Sequence, residues 1–407
     1  MKLINHLIIV DLDNGNKLLI NALYGHIDEI DQAIYEKIIQ WKQLEDIDDH
    51  ILTAEEDELY ESLNARGFLV HDDEEEARIK DALLAMLRYA DYKNRKHRKA
   101  LTMMDTTTPE LIDAALELTD DYLECIDLCG GEPLLPKTKD LLAYLFNKKP
   151  DIKFSITTNG YYLDEFIDLF KTAHVYRINV ALDNNISDDI PILNKIISGV
   201  EKCLAIDIPV NIRTQANEAE RYFDEQIKKY GGLISFENTT EKVLPQNESI
   251  RAAAAMYKAT INDTPQNRLK NHRLLSSFNP IINSITVSIP IRPLYSCCYA
   301  HENNLVVDAH GRMYTCLASA GNIDASIGTY YPTVAFKANS IYNRNIDTIE
   351  ACNACIYSLL CGGGCPMQLK DLKDVFHPVC DSIKSQIHDL LPLLYEVEIQ
   401  KYHNQER

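Results

Sequence analysis

The strongest constraint on this chain is a run of cysteines near its C-terminal end. Eight of its 11 cysteines fall between Cys297 and Cys380. Counted from Cys298, the spacing is C-x12-G-x4-C, a gap, C-x2-C-x5-C-x3-C, then x14 and a final C. The residues are Cys298, Gly311, Cys316, Cys352, Cys355, Cys361, Cys365 and Cys380, with Cys297 beside the first. A lone buried cysteine behaves as a small hydrophobe. Eight of them in about a fifth of the chain, with glycines where the backbone must bend around something, ask for a shared ligand.

Three chemistries compete for these thiols. Disulfides need an oxidising compartment, but the opening Met1-Lys2-Leu3-Ile4-Asn5-His6 starts no apolar signal segment. An odd total of 11 cysteines also fits a disulfide framework poorly, and a reducing cytoplasm is the expected setting. Structural zinc favours four ligands built from C-x2-C pairs, and could take Cys352, Cys355, Cys361 and one more thiol. Iron–sulfur clusters take four thiolates each, so eight thiols could serve two of them.

A chain of 407 residues exceeds one ordinary domain, and two or three are expected. Its 46% hydrophobic and 25% charged content is that of a globular protein. No apolar run approaches the roughly 18 residues of a membrane span. A net charge of −20 disfavours a nucleic-acid backbone or an anionic membrane as the main partner, and would suit a basic peptide.

Residues 1–80 read as a small α+β domain. His6–Val10 and Lys17–Asn21 flank the turn signal Asn14-Gly15, and Leu23–Ile30 is a third candidate strand. Asp31–Trp41 has helical spacing. Thr53 and Glu56 form a capping box for a second helix ending at Gly67, and Phe68–Val70 is a closing strand. Asp72–Glu76 reads as an acidic linker or helix start, Ala77–Tyr92 as an amphipathic helix, and Lys93–Lys99 as a solvated basic loop.

From about residue 100 to 240, strand-like runs alternate with helices. The runs are Leu101–Met104, Cys125–Cys129, Lys153–Thr157, Val175–Leu182, Pro209–Thr214 and Leu233–Glu237. Such alternation predicts parallel βα units. Residues 249–261 and 268–278 read as helices, and 281–289 as a strand. Leu305–Cys316 reads as a hairpin turning at His310-Gly311, and Ser382–Tyr402 as a helix interrupted at Pro392. His301, His377 and His388 are ordinary histidines by default and ligands only as the lesser alternative.

The cysteine spacing, with the local text Tyr357-Ser358-Leu359-Leu360-Cys361-Gly362-Gly363-Gly364-Cys365-Pro366, resembles the SPASM domain. SPASM domains are C-terminal extensions of radical S-adenosylmethionine (SAM) enzymes and carry auxiliary 4Fe–4S clusters. The resemblance covers residues 297–380. It implies one cluster on Cys352, Cys355, Cys361 and Cys380, and another on Cys298, Cys316 and Cys365. The fourth ligand of the second is open: Cys297, a non-cysteine ligand, or a free iron site. The six βα units likewise resemble the partial (β/α)6 TIM-like barrel of that family. Gly130-Gly131-Glu132-Pro133 after the second strand is similar to the motif that holds the SAM amino group. Thr158-Asn159-Gly160 and Ala181-Leu182-Asp183 are further echoes. The order of elements in residues 1–80 resembles winged-helix domains that capture a precursor's leader peptide as an added strand.

The expected architecture is therefore an α/β chain with six parts. Residues 1–80 form a winged-helix-like domain, 81–100 a linker helix, and 101–245 a degenerate radical SAM partial barrel. Residues 246–295 connect this to a SPASM domain at 296–385, and 386–407 form a C-terminal helix.

One defining family feature is missing. A C-x3-C-x2-C loop after the first barrel strand holds the 4Fe–4S cluster that cleaves SAM. Here Leu101–Met104 runs into Asp105-Thr106-Thr107-Thr108-Pro109, with Thr108 as N-cap and Pro109 opening a helix. No cysteine occurs between Met1 and Glu124. Cys125 and Cys129 mimic C-x3-C, but four residues of strand span about 13 Å, too far for two ligands of one cluster. Cys203 stands far along the chain, so all three read as core or strand cysteines. Conventional SAM cleavage is not expected, and SAM binding without its iron anchor is doubtful.

Three functions follow. The first is a pseudo-radical-SAM partner in the maturation of a ribosomally made peptide. It would bind the precursor peptide and exchange electrons with a separate, active radical SAM maturase. The second is a SAM-independent enzyme using an open auxiliary cluster. The third is a zinc-stapled scaffold, which would be colourless and free of sulfide.

Overall fold

A computed structural model describes residues 1–96, 99–104, 108–119, 121–182, 189–214, 222–238, 290–296, 304–369, 371–380, 384, 386–392 and 395. The N-terminal part contains β1 (Lys2–Leu3), β2 (Leu7–Asp11), β3 (Lys17–Asn21), β4 (Ile27–Ile30), α1 (Gln32–Trp41), α2 (Ala54–Ala65) and β5 (Leu69–Val70). The expected turn is present: Gly15 sits at φ +89° and Leu12 N–H donates to the Asn16 carbonyl. β2, β3 and β4 form an antiparallel meander, while β1 pairs with β5. The capping box closes as read, with Glu56 N–H donating to Thr53 Oγ1 (3.3 Å) and Thr53 N–H to Glu56 Oε2 (2.7 Å).

Both faces of this small sheet are apolar. Leu7, Leu19 and Ile30 pack under the helices against Ile38, Trp41 and Leu63. Ile8, Val10, Leu18 and Ile20 pack on the other side against Leu360, Ile387 and Leu391. The two ends of the chain therefore share one core, joined through a sheet that neither end covers alone.

Next comes α3, Asp73–Lys96, in which the acidic run is a helix start and the C-terminal end extends past Tyr92 into the residues read as a basic loop. The acidic run is its first turn, where carboxylates complement the helix dipole, and Lys93, Arg95 and Lys96 occupy the last. Glu76 is 3% exposed and fixes this helix to the N-terminal strand segment. It accepts hydrogen bonds from the backbone N–H of Asn5 (2.8 Å) and His6 (3.0 Å), and its Oε1 lies 2.6 Å from His6 Nδ1.

Five βα units and a sixth strand follow: β6 (Ala100–Met104), α4 (Pro109–Glu117), β7 (Cys125–Cys129), α5 (Lys139–Lys148), β8 (Lys153–Thr158), α6 (Leu163–Phe170), β9 (Val175–Leu182), α7 (Ile190–Leu204), β10 (Val210–Thr214), α8 (Asp224–Tyr230) and β11 (Ile234–Asn238). Strands β6 to β11 are parallel and lie side by side in sequence order. This is the singly wound arrangement of a TIM-like fold. Strand residues such as Leu101, Ile126, Phe154, Ile178 and Val210 meet helix residues such as Ile112, Leu145, Phe166, Ile196 and Val200 in one core.

The sheet does not end at β6. β12 (Asn304–Val307) pairs parallel with it, Leu305 opposite Leu101, and β13 (Arg312–Tyr314), β14 (Gly328–Thr329) and β15 (Ala335–Phe336) extend it antiparallel. Asn304 Nδ2 donates to Thr102 Oγ1 across this seam (3.0 Å). The hairpin turns as expected, with Asp308 Oδ1 accepting from the N–H of His310 (2.9 Å) and Arg312 (3.0 Å) and Gly311 at φ +75°. The helices and strand read for 249–289 lie outside the described residues, as does most of Ser382–Tyr402. No helix among the described residues is long and apolar enough to cross a membrane.

Candidate metal centre

Four of the thiols converge. Cys352, Cys355, Cys361 and Cys380 line one narrow cavity, together with Gly363, Pro378 and Lys384. Local geometry explains how C-x2-C-x5-C achieves this. Cys352 closes a short helical turn begun at Glu350, and Cys355 N–H donates back to its carbonyl (3.2 Å). Ser358–Cys361 is one helical turn, capped by Gly362 in the left-handed conformation at φ +62°. Gly363 and Gly364 stay at positive φ, +84° and +75°, which turns the chain back toward Cys380. The Val379 N–H donates to the Gly363 carbonyl (3.1 Å), so the triplet pairs with the segment that delivers Cys380.

Electrostatics report the same convergence. Burial pushes the Cys361 thiol up to about 11, even though the Gly363 N–H donates to its sulfur, and the other three thiols push the same way. Burial likewise pushes Cys352 up to about 11, reinforced by Cys355 and Cys380 and opposed by Arg344. Thiols that raise one another's pKa form the donor set that cationic iron relieves by binding thiolate. Among the described residues no three His, Cys, Asp or Glu side chains are arranged to hold a single metal ion. Gly364→Ala tests the turn, because a Cβ there would lie 2.1 Å from the Val379 carbonyl oxygen. The expected cost is roughly 2–4 kcal/mol, read from urea denaturation.

The second expected set is less complete. Cys316 is half-buried just past β13, Cys365 is exposed, and neither lines the cavity. Cys297, Cys298 and His301 lie outside the described residues. His377 contributes its carbonyl to Arg344, and His388 Nε2 lies 2.9 Å from the Tyr357 hydroxyl; neither lines the cavity.

The Gly130-Gly131-Glu132-Pro133 loop follows β7, with Gly130 and Gly131 at φ +78° and +48°. The Glu132 carboxylate is engaged within the protein. Oε1 accepts from Thr158 Oγ1 (2.6 Å) and Leu134 N–H (2.9 Å), and Oε2 accepts from Asn159 N–H (2.7 Å). The Asn159 side chain in turn accepts from Tyr161 N–H (2.9 Å). Glu132 thus clamps the loop after β7 to the loop after β8. An apolar cavity of about 200 Å³ opens beside this loop, between β6, β7, α4 and α5.

β6 ends at Met104 and α4 begins at Pro109, with Thr108 Oγ1 accepting from Leu111 N–H (3.4 Å). Cys125 and Cys129 both lie in β7, and Cys203 is fully buried in α7, its thiol pushed up to about 12 by burial. One residue of the centre carried no sequence signal. Arg344, within Asn343-Arg344-Asn345, is 1% exposed and binds the glycine triplet from beneath.

Residues 92–209 match the family described as the Radical SAM superfamily. The match covers α4 to α7 and supports a radical SAM superfamily domain there, a family that implies a 4Fe–4S cluster and SAM. Among curated proteins the chain is similar to a GTP 3',8-cyclase of Nautilia profundicola, 35% identical over 23% of this chain and 32% of that protein. A GTP 3',8-cyclase of Campylobacter jejuni is 33% identical over 24% of this chain and 32% of that protein. The chain thus spans about a third of the length of the curated relatives it matches. Among solved structures, Streptococcus suis SuiB bound to S-adenosylmethionine aligns over 94% of this chain and 100% of that one. At a TM-score of 0.36 and 11% identity that likeness carries no weight for fold or function.

Proposed function

We propose that this chain is a degenerate radical SAM protein that carries auxiliary 4Fe–4S clusters but does not itself start the radical. In this reading it serves a separate, active radical SAM enzyme in maturing a ribosomally made peptide. The observation that carries the reading is the gathering of Cys352, Cys355, Cys361 and Cys380 around one cavity, set against a β6–α4 connection without cysteine. A 4Fe–4S cluster supplies one-electron transfer where it is bound. The four thiols would hold it, the Gly363 N–H would donate to the Cys361 sulfur, and the glycine triplet would wall it from solvent. Cys316 and Cys365, with Cys298, would hold a second.

A cluster also suits the donors better than zinc. One tetrahedral ion needs four sulfurs about 2.3 Å from a single centre. A cluster binds each thiolate through its own iron, so it accepts a wider set. At the barrel mouth, Glu132 is used in bracing two loops, which supports survival of Gly130–Pro133 and Asn159 for structure rather than for SAM.

The peptide would add to the small N-terminal sheet, where β4 is an edge among the described strands. Arg66 guards one end of that edge, donating to Asp28 Oδ2 (2.7 Å) and to the Ile27 carbonyl (3.2 Å). A peptide strand would take up the remaining edge groups.

Metal and sulfide analysis after anaerobic purification, with a SAM titration on the same sample, tests the reading. About eight irons and eight sulfides without SAM binding are expected for two clusters. About twelve irons with SAM cleavage on reduction would place a third, radical-generating cluster in the chain and overturn it. Zinc without sulfide would overturn it in favour of a scaffold.

A further inference from the structure

The glycine turn that lines the thiol cavity is held by the side chain of Arg344. Arg344 has one of the largest fully buried side chains of the protein, at 1% exposure. Arginine is rarely buried unless its donors are satisfied, because removing the charge from water costs several kcal/mol. Here Nη1 donates to the Gly364 carbonyl (2.7 Å), and Nη2 to the carbonyls of Gly363 (2.5 Å) and His377 (3.0 Å). The planar guanidinium thus joins the two chain segments that must meet for the site to exist: the turn after Cys361 and the irregular segment leading to Cys380. A Cβ on Gly363 would lie 2.5 Å from Ile349 Cδ1 and 3.3 Å from Nη1, so the glycine leaves room for both side chains.

We infer that Arg344 is a positioning residue that also sets the redox poise of the Cys352–Cys355–Cys361–Cys380 centre. This rests on the reading of that centre as a 4Fe–4S site. One-electron reduction adds one negative charge to a set already crowded with thiolates. A fixed cation bound to the turn that lines the site, and shielded from water, stabilises the reduced form more than the oxidised form. Three hydrogen bonds to backbone carbonyls hold that cation still, so it acts as a permanent bias on the site. Lysine would keep the charge but lose the planar fork.

The test uses the full chain, loaded with iron and sulfide under anaerobic conditions. Wild type, Arg344→Lys and Arg344→Gln are titrated with dithionite as the electron source. Reduction is followed by the EPR signal of the reduced centre, with Cys316→Ala as background to remove the second site. In Arg344→Gln the ratio of reduced to oxidised centre at a fixed potential is expected to fall about tenfold, equivalent to about 59 mV for a one-electron couple. Arg344→Lys is expected to stay within about threefold of wild type. Loss of iron from the Gln variant alone also supports a role for the charge. An unchanged potential in Arg344→Gln, or equal loss of iron from both variants, overturns the inference and leaves only a structural tie. Absence of iron and sulfide from this centre in the wild type is a separate result, which fails the cluster reading itself.

Discussion

Cys361→Ala is expected to remove about four irons and four sulfides from the anaerobically purified protein, half of a two-cluster complement. The size of the effect follows from how the thiol is held. Cys361 closes the turn Ser358–Cys361, Gly362 caps that turn, and the Gly363 N–H points at its sulfur. No other cysteine can take its place without unwinding that turn, and a cluster with three thiolates and no replacement is labile. Cys203→Ala is the matched control. Cys203 is more deeply buried than the half-buried Cys361, but it sits in the α7 core among aliphatic side chains. Its removal should cost about 1 kcal/mol of stability and no iron. Full iron retention in Cys361→Ala would falsify the assignment of this cavity as a cluster site.

Glu76→Gln is expected to destabilise the folded state by about 2–4 kcal/mol at pH 7. The carboxylate receives two backbone N–H groups and the side chains of Asn5 and His6 in a site that is nearly closed to water. A carboxamide must turn an N–H₂ group toward donors, leaving at least one buried donor unmatched. Burial alone would raise the pKa of Glu76. The hydrogen bonds from His6 and from the backbone of Asn5 and His6 outweigh it and hold the carboxyl below the usual glutamate value. The sign of the pH dependence follows. A depressed folded-state pKa contributes stability above the unfolded value of about 4.3, and this is lost as pH falls through the folded pKa. Urea denaturation of wild type and Glu76→Gln should therefore differ fully at neutral pH and converge below about pH 4. A constant difference across that range would show that Glu76 acts through packing alone.

The parts of this protein that repeat over short distances were legible from the amino-acid order. The 3.6-residue spacing of Leu142, Leu145 and Phe146 or of Leu193, Ile196 and Val200 marks buried helix faces, as expected. The Thr53–Glu56 capping box, the Thr108-Pro109 helix start and the turns at Gly15 and Gly311 depend only on neighbours along the chain. The thiol spacing was legible for the same reason, since C-x2-C-x5-C-x3-C is the span of two short turns and a glycine reversal.

What the tertiary structure decided is what long-range pairing controls. The acidic run at Asp73–Glu76 read as a solvated linker or a helix start, and nothing nearby in sequence showed what binds it; its partners are Lys2, Asn5 and His6, about seventy residues earlier. The second face of the N-terminal sheet is covered by Leu360, Ile387 and Leu391 from the other end of the chain. β12 adds to the edge of the parallel sheet beside β6, two hundred residues upstream, and so joins the cysteine-rich region to the βα units. Arg344 between two asparagines has no periodicity and no motif. Only when the turn after Cys361 meets the segment before Cys380 do three carbonyls come into reach of its fork and give that charge a buried place against the glycine turn.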